Sequence, residues 1–447
     1  MIWEPHTLVF TISEILFSNL PLASMNMIKN SIPYGFNSAE FFISESYPVD
    51  FVNINKIAGM TTPIEAVAES LHSNQYGACL EDFTGCKTAA IAINDKTRPV
   101  PYDILLPALI DGLKNLQLQL KNITIIVATG THKPMDLAEI KKLLPDNFPK
   151  DIKICSHDCD EAENLKCLGD TSKKTPVYGN RKFLDADIRI VTGNIEPHHF
   201  AGFSGGMKTA AIGLTGRETI NKNHSMLVDR KSCLGEFKNN PLRQDIEEIG
   251  KMMKVNYAIN VIMNDKREIV HVLAGDPSCV MDAGVTFSQS ICQTVVNKKY
   301  DLVIASAGGY PKDINLYQAQ KALTNASLIT RDGGSVILVA ACDEGVGSNP
   351  YVDFMKGVSS WQEVYSKFKT TGFQVGPHKA FQFAREISRI NVYLMSHIPD
   401  EVVKSLLLIP TADLTNQIQQ ILKNNPGMPA IAVMPKATNT LPLCTGG

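Results

Sequence analysis

Short apolar segments alternate with helical segments along most of the chain, and this alternation constrains the fold more than any other feature. Residues 87–94, 123–128 and 187–192 have the composition of buried strands, and residues 102–118 carry an apolar stripe at helical spacing. Strands that alternate with helices form βαβ units around a mainly parallel sheet. The sequence therefore predicts an α/β protein.

A second α/β region begins near residue 301, with strand candidates at 302–306, 335–341, 391–396 and 430–434. A chain of 447 residues has the length of two or three domains. We predict two Rossmann-like domains with mainly parallel sheets and an active-site cleft between them. The predicted division is an N-terminal extension over 1–26, an N-terminal α/β domain over 27–290, a C-terminal α/β domain over 291–425, and a segment over 426–447 that returns to the first domain.

A polar loop follows each of three strand candidates in the first region. DKTRP follows residues 87–94, TGTHKP follows 123–128, and NIEPHHFAGFSGGMK follows 187–192. In open α/β sheets, ligands bind beyond the carboxyl ends of the strands. We therefore expect the three loops to meet at one edge of the sheet.

The third loop contains a glycine turn over residues 202–206, placed before Lys208 and an Ala-rich helical segment. Such a turn lets the backbone approach a ligand closely, and the start of a helix offers free N–H groups to an anion. A P-loop requires Gly directly before Lys, but Met207 separates Gly206 from Lys208 here. The alternative is an ordinary tight turn with a solvated lysine, which the density of His, Gly and Lys after a buried strand disfavours.

Charge and cysteine content exclude some classes of partner. The net charge of −2 gives no indication of nucleic acid or an anionic membrane surface as partner. No apolar run reaches the roughly 18 residues of a membrane span. The 10 cysteines form no C-x-x-C pair, and scattered cysteines fit a reducing compartment. We therefore predict a cytoplasmic protein without a membrane or nucleic-acid partner.

Histidines dominate the chemistry of the predicted edge. His132 and His198 lie on different loops, and their pKa range suits acid and base work on one substrate. Arg98 suits a carboxylate through paired hydrogen bonds, and a third histidine can bind a metal. No carboxylate pair indicates a glycosidase, and no GxGxxG follows the first strand, so a standard nicotinamide enzyme is not expected.

From about Ile32 to its C-terminus the chain resembles the lactate racemase family, whose members use a nickel-pincer nucleotide. The motifs that carry the resemblance are DKTRP, GTHKP, PHHFAGFSGGMK, NH at 223–224 and YQAQK at 317–321. The resemblance implies an isomerase, a racemase or epimerase of lactate or a related 2-hydroxy acid. Its implied partners are the small-molecule 2-hydroxy acid and the enzymes of cofactor biosynthesis.

The resemblance also implies residue roles. His132 and His198 would be the acid/base pair, and His224 would ligate the nickel of nickel pyridinium-3,5-bisthiocarboxylate mononucleotide. Lys208 would bind this nucleotide and can attach to it as a thioamide. The cofactor-binding residues would be Asp95, Lys96, Thr97, Arg98, Lys208, Gln318 and Lys321, and the substrate-binding residues Arg98, Tyr317 and Lys321. His199 matches no functional position and is expected to pack against or orient His198.

The implied reaction moves the Cα hydride to the cofactor, lets the resulting 2-keto acid reorient, and returns the hydride to its other face. Two alternatives stay open. One is a phosphate-binding, kinase-like enzyme that uses the Gly-Gly-Met-Lys turn, which would leave the histidines unused. The other is a non-catalytic binder of the nickel nucleotide, which would need no acid/base pair.

Overall fold

The computed structural model describes residues 26–425 and 427–446, so the predicted extension over 1–26 lies outside the described residues except for Asn26. The strands are β1 (Met27–Tyr34), β2 (Asn37–Ser44), β3 (Val49–Phe51), β4 (Ala89–Asn94), β5 (Ile123–Ala128), β6 (Lys153–Ser156), β7 (Leu165–Asp170), β8 (Pro176–Asn180), β9 (Ile188–Asn194), β10 (Pro197–His198), β11 (Gly202–Phe203), β12 (Tyr257–Met263), β13 (Ile269–Gly275), β14 (Gln293–Val296), β15 (Tyr300–Ser306), β16 (Thr330–Val339), β17 (Asn391–Met395), β18 (Ile409–Pro410), β19 (Ile431–Met434) and β20 (Leu441–Cys444).

The α-helices are α1 (Pro63–His72), α2 (Tyr102–Asn115), α3 (Leu137–Lys141), α4 (Arg181–Leu184), α5 (Lys208–Ala211), α6 (Arg217–His224), α7 (Pro241–Met252), α8 (Pro277–Cys292), α9 (Leu316–Ser327), α10 (Asn349–Met355), α11 (Trp361–Thr371), α12 (Pro377–Ile387), α13 (Asp400–Ser405) and α14 (Leu414–Lys423). Short polar side chains start several of them. Asn240, for example, accepts from the backbone N–H of Arg243 at the start of α7. None of the helices in the described part of the chain is both long and apolar enough to cross a membrane.

The first sheet has six strands in the order β13-β12-β9-β4-β5-β6. All neighbouring pairs are parallel except β12 with β13, which form an antiparallel hairpin. The central strands are almost fully buried, as expected for strands covered by helices on both faces. Because β4, β5 and β9 run in the same direction, the polar loops that follow them lie at one edge, and the mainly parallel α/β fold predicted from the sequence is confirmed.

The second sheet is wholly parallel, in the order β18-β17-β16-β15-β19-β3. The β1–β2 hairpin packs against it, since Ile32 and Phe41 share a buried cluster with Leu302 and Ile304. A further buried cluster contains residues of both halves, including Val191 and Leu338. The two α/β units are therefore joined by a shared apolar core.

The strand pairing differs from the predicted domain division at two places. The segment 426–447 does not return to the first sheet, because Ile431–Met434 pairs with Tyr300–Ser306 and with Val49–Phe51 inside the second sheet. Residues 27–51 likewise pack with the second sheet, although they were expected in the first domain. Strand pairing between distant segments depends on tertiary contacts that a local hydrophobic pattern does not contain.

Candidate active site

Loops from the first sheet enclose a cavity of about 130 Å³ at the carboxyl ends of β4, β5 and β9. Its walls include both histidines of the predicted acid/base pair and the predicted cofactor lysine. The polar residues that line it are Asn94, Asp95, Arg98, Thr129, Thr131, His132, Asn194, Glu196, His198, Ser204, Lys208, Thr209 and His224. The three polar loops therefore meet, as the strand order requires.

Asp95 and His132 form a hydrogen-bonded pair on one wall. His132 Nδ1 lies 2.6 Å from Asp95 Oδ2, and the other carboxylate oxygen accepts from the backbone N–H and hydroxyl of Thr97 at 3.1 and 2.6 Å. Burial alone would raise the pKa of Asp95, but the hydrogen bonds from His132 and Thr97 outweigh it and hold that pKa below its ordinary value. In the neutral ring, Nδ1–H donates to the carboxylate and the lone pair is on Nε2.

His198 lies in a different environment on the opposite loop. Its ring is buried, and Nδ1 accepts from the backbone N–H of Ala201 at 3.3 Å. Desolvation, followed by the positive charges of Lys208 and Arg98, lowers the pKa of His198 well below its ordinary value. The neutral ring therefore carries its proton on Nε2, which makes His198 a hydrogen-bond donor in this state.

The glycine turn has a backbone conformation that other residues rarely adopt. Gly202, Gly205 and Gly206 have φ values of 73°, 83° and 58°. A Cβ on Gly202 would stand 1.9 Å from the carbonyl oxygen of Glu236, so even a methyl group has no room there. The turn therefore depends on glycine for both conformation and space.

The buried side chain of Arg243, on α7, holds this turn in place through hydrogen bonds to its backbone. Its guanidinium donates to the carbonyl oxygens of Phe203 and Gly205 at 3.0 and 3.3 Å and forms an ion pair with Glu247. The planar guanidinium suits two acceptors at once. The path of the chain into Lys208 is thus fixed by side chains outside the cavity.

Lys208 begins α5, and only 7% of its surface is exposed. Desolvation, helped by the charges of Arg98 and Arg243, lowers the pKa of Lys208 well below its ordinary value. A buried amine without its proton is a nucleophile. The helical segment predicted after Lys208 is a single short helix, α5, which ends at Ala211.

His224 lies at the end of α6 between two aromatic rings. Phe200 and Phe373 make edge-to-face contacts with it at ring-centroid distances of 5.0 and 5.3 Å. Its Nδ1 lies 3.1 Å from Oδ1 of Asn223. Phe373 belongs to the second half of the chain, so both halves enclose this histidine.

A wider cleft of about 470 Å³ adjoins the cavity and is lined by both halves of the chain. Asn194 and Glu196 line both spaces, and Lys312 and Lys321 lie on the far side of the cleft. Burial lowers the pKa of Lys321. His199 lines the cleft rather than the cavity, and its buried Nδ1 has no hydrogen-bond partner within the described residues.

The remaining predicted site residues lie further out. Lys96 forms an ion pair with Glu139 on the surface, and Thr97 contributes through Asp95. Tyr317 and Gln318 do not line the cavity or the cleft. Tyr317 instead receives the ammonium of Lys379 over its ring at 4.6 Å, so its predicted role in binding substrate stays a prediction.

Sequence reasoning missed three residues at this site. Glu196 lies in the polar loop that follows β9 and lines the cavity. No second carboxylate stands near it in the sequence to indicate a catalytic role. Asn194 ends the same strand, and its buried Oδ1 lacks a partner within the described residues. Phe373 reaches His224 from a distant loop, and no local pattern signals that contact.

Comparison with known proteins places this fold and site in a family. A model of the lactate racemase N-terminal domain matches residues 34–235, and a model of the lactate racemase C-terminal domain matches residues 295–440. The lactate racemase of Thermoanaerobacterium thermosaccharolyticum is 30% identical over 355 residues, which cover 77% of this chain and 83% of that protein. The lactate racemase of Lactiplantibacillus plantarum is 29% identical over 342 residues, 75% of this chain and 80% of that protein.

A solved structure supports the same placement. The lactate racemase apoprotein from T. thermosaccharolyticum superposes with a TM-score of 0.85 and 26% identity, covering 93% of this chain and 100% of that one. The fold is thus that of a two-domain α/β protein with a mainly parallel sheet in each half. The chain belongs to the lactate racemase family, which confirms the resemblance drawn from its motifs.

Proposed function

We propose that this protein racemises lactate or a related 2-hydroxy acid with a nickel-pincer nucleotide, using His132 and His198 as acid and base. Family membership supports the coarser assignment, an isomerase that acts as a racemase. One observation supports the more specific assignment, the reaction with a nickel-pincer nucleotide. Two histidines, from loops after different strands, line one cavity together with Lys208 and His224.

The residues present fit the cofactor that the family implies. His224 has one ring nitrogen engaged by Asn223, which leaves the other for a metal, and imidazole is a suitable ligand for nickel. Lys208 is buried with a lowered pKa, as attachment through its amine requires. Asn194 contributes a buried oxygen that lacks a partner within the described residues.

The space open to a ligand extends beyond the cavity itself. The cavity of about 130 Å³ is smaller than a typical ligand pocket, which is roughly 300–1,000 Å³. However, it shares the walls formed by Pro99, Asn194 and Glu196 with the cleft of about 470 Å³. A ligand that extends through both spaces would contact Lys208 at one end and Lys321 at the other.

When bound, the nickel nucleotide would take up and return the hydride of the substrate Cα. His132, held by Asp95, would take the hydroxyl proton of one enantiomer through Nε2. Nε2 of His198 would face the substrate oxygen from the other side: the neutral ring would donate a hydrogen bond there, and transfer of a proton to the oxygen would require the imidazolium form. The opposite enantiomer requires the reverse assignment, so each histidine would change role with the direction of the reaction.

Arg98 is the residue placed to hold the substrate carboxylate. It lines the cavity and forms no ion pair within the described part of the chain, so its guanidinium is available to an incoming anion. A planar guanidinium can donate two parallel hydrogen bonds to a carboxylate. That contact would keep the planar keto acid in the cavity while it reorients.

The test compares protein expressed with and without the enzymes of cofactor biosynthesis. Nickel content, intact mass and interconversion of D- and L-lactate would be measured on both preparations. We expect nickel, an added mass and racemisation only in the first. A loaded protein that interconverts neither lactate nor any related 2-hydroxy acid would contradict the proposal, and tight ATP binding without nickel would favour the kinase-like alternative.

A further inference from the structure

A buried carboxylate lies behind the cavity without lining it. Asp245 on α7 is fully buried and accepts three hydrogen bonds. Thr171 donates its hydroxyl to Oδ1 at 2.6 Å, and Thr175 and Asn223 donate to Oδ2 at 2.9 and 2.8 Å. Burying a charge is costly unless hydrogen bonds compensate for it, and here every donor is fixed in place.

Asp245 determines which way the Asn223 amide faces. Asn223 Nδ2 donates to Asp245 Oδ2 and also to the carbonyl oxygen of Leu242 at 3.1 Å. Carboxylate and carbonyl oxygens only accept hydrogen bonds. Exchanging the amide oxygen and nitrogen would set an oxygen against both of them, so the NH₂ group must face Asp245 and the oxygen must face away.

The fixed amide in turn determines the tautomer of His224. The Asn223 oxygen lies 3.1 Å from His224 Nδ1, and an amide oxygen cannot donate. Nδ1 must therefore carry a proton, because the other neutral tautomer would place two lone pairs against each other. In the neutral ring the lone pair is then on Nε2.

We propose that Asn223 and Asp245 are positioning residues that hold His224 in the Nδ1–H tautomer, so that Nε2 is the nitrogen that binds a metal. The choice of nickel as that metal rests on the proposed function, whereas the tautomer is a property of the protein alone. A side chain that fixes the tautomer of a metal-binding histidine typically changes metal affinity by about 10–100-fold. Asn223 and Asp245 would act only through His224.

The tautomer can be measured directly on protein prepared without the cofactor. Long-range ¹H–¹⁵N correlation spectra of ¹⁵N-histidine-labelled protein distinguish Nδ1–H from Nε2–H rings, and loss of one signal set in His224→Gln assigns His224. We expect the Nδ1–H form in the parent protein and a shift towards Nε2–H in Asn223→Ala. Asn221→Ala, on the same helix, is the matched control and should leave the His224 signals unchanged.

Asp245→Asn provides a second route if Asn223→Ala does not fold. An amide at 245 can present NH₂ to Asn223, which leaves the Leu242 carbonyl as the only acceptor that holds the Asn223 NH₂ group in place, so the His224 signals should move part of the way towards Nε2–H. A parent spectrum that shows His224 as Nε2–H, or an unchanged Nδ1–H form in both variants, would overturn the proposal.

A second measurement tests the connection to the metal. After expression with the enzymes of cofactor biosynthesis, the variant with the altered tautomer should lose nickel to a chelator about 10–100-fold more readily than the Asn221→Ala control. Equal retention would overturn the metal part of the proposal. The spectra of the cofactor-free protein do not depend on nickel or racemase activity, so failure of the proposed function would be recognised separately.

Discussion

The two sheets contribute differently to the space between them. Loops after the first sheet bring His132, His198 and Lys208 to one cavity, and hydrogen bonds within the chain already hold their neighbours. Helix α9, which follows β15 of the second sheet, places Lys321 at the wider cleft, while Tyr317 packs against Lys379. The first side brings together the residues proposed to react, and the second contributes lysine side chains to the cleft.

We infer from this difference that the first half supplies the groups for chemistry and the second half supplies groups for binding. Groups that act as acid and base need fixed tautomers and distances, and the hydrogen bond to Asp95 would supply these for His132, the residue proposed for such a role. A buried lysine without an anionic partner is costly, and burial lowers the pKa of Lys321. A bound anion would raise that pKa again, so we expect the second half to act mainly through binding. Variants at Lys208, His132 and His198 test the chemistry on the first side, and a variant at Lys321 tests binding on the second.

Lys208→Ala should have the largest effect. Removing the amine removes the only atom of this side chain that can bond to the cofactor, so the added mass should vanish and racemisation should fall to background. Intact mass and activity after expression with the cofactor enzymes check this. Lys222→Ala, an exposed lysine on α6, is the matched control and should keep both. An unchanged mass in Lys208→Ala would show that the cofactor is attached elsewhere.

His132→Ala and His198→Ala should each slow interconversion by about 10²–10⁴-fold, as expected for loss of a general acid or base. The double variant should lose far less than the product of the two, because residues that act as a unit are not additive. D/L interconversion would be measured with cofactor loading verified. His271→Ala, which removes a ring stacked on Phe287 away from the cavity, serves as the control. A loaded single variant that racemises at the parent rate would refute the two-histidine mechanism.

The strands and loops of the first sheet were predicted well because each is signalled by a short continuous stretch of sequence. The strand predicted at 123–128 matches β5, and polar loops after parallel strands must share an edge whatever the rest of the chain does. The pairing of Val49–Phe51 with Ile431–Met434 was missed, because only tertiary contacts bring these short segments together. The contact of Phe373 with His224 was missed for the same reason. The meeting of His132, His198 and Lys208 at one cavity was thus predictable from the sequence, whereas the contact made by the second half was not.

Lys321→Met should have the smallest effect and should appear in binding rather than in the chemical step. A charge-assisted hydrogen bond contributes roughly 1.5–3 kcal/mol, so we expect KM to rise by about 10–100-fold while kcat changes much less. The side chain lies on the cleft wall, away from the cavity that holds His132 and His198, which is why the proton transfers should survive. Lys423→Met, an exposed lysine on α14, controls for the loss of one positive charge. A fall in kcat as large as that of the histidine variants, with KM unchanged, would place Lys321 among the reacting groups and remove the distinction between the two sides.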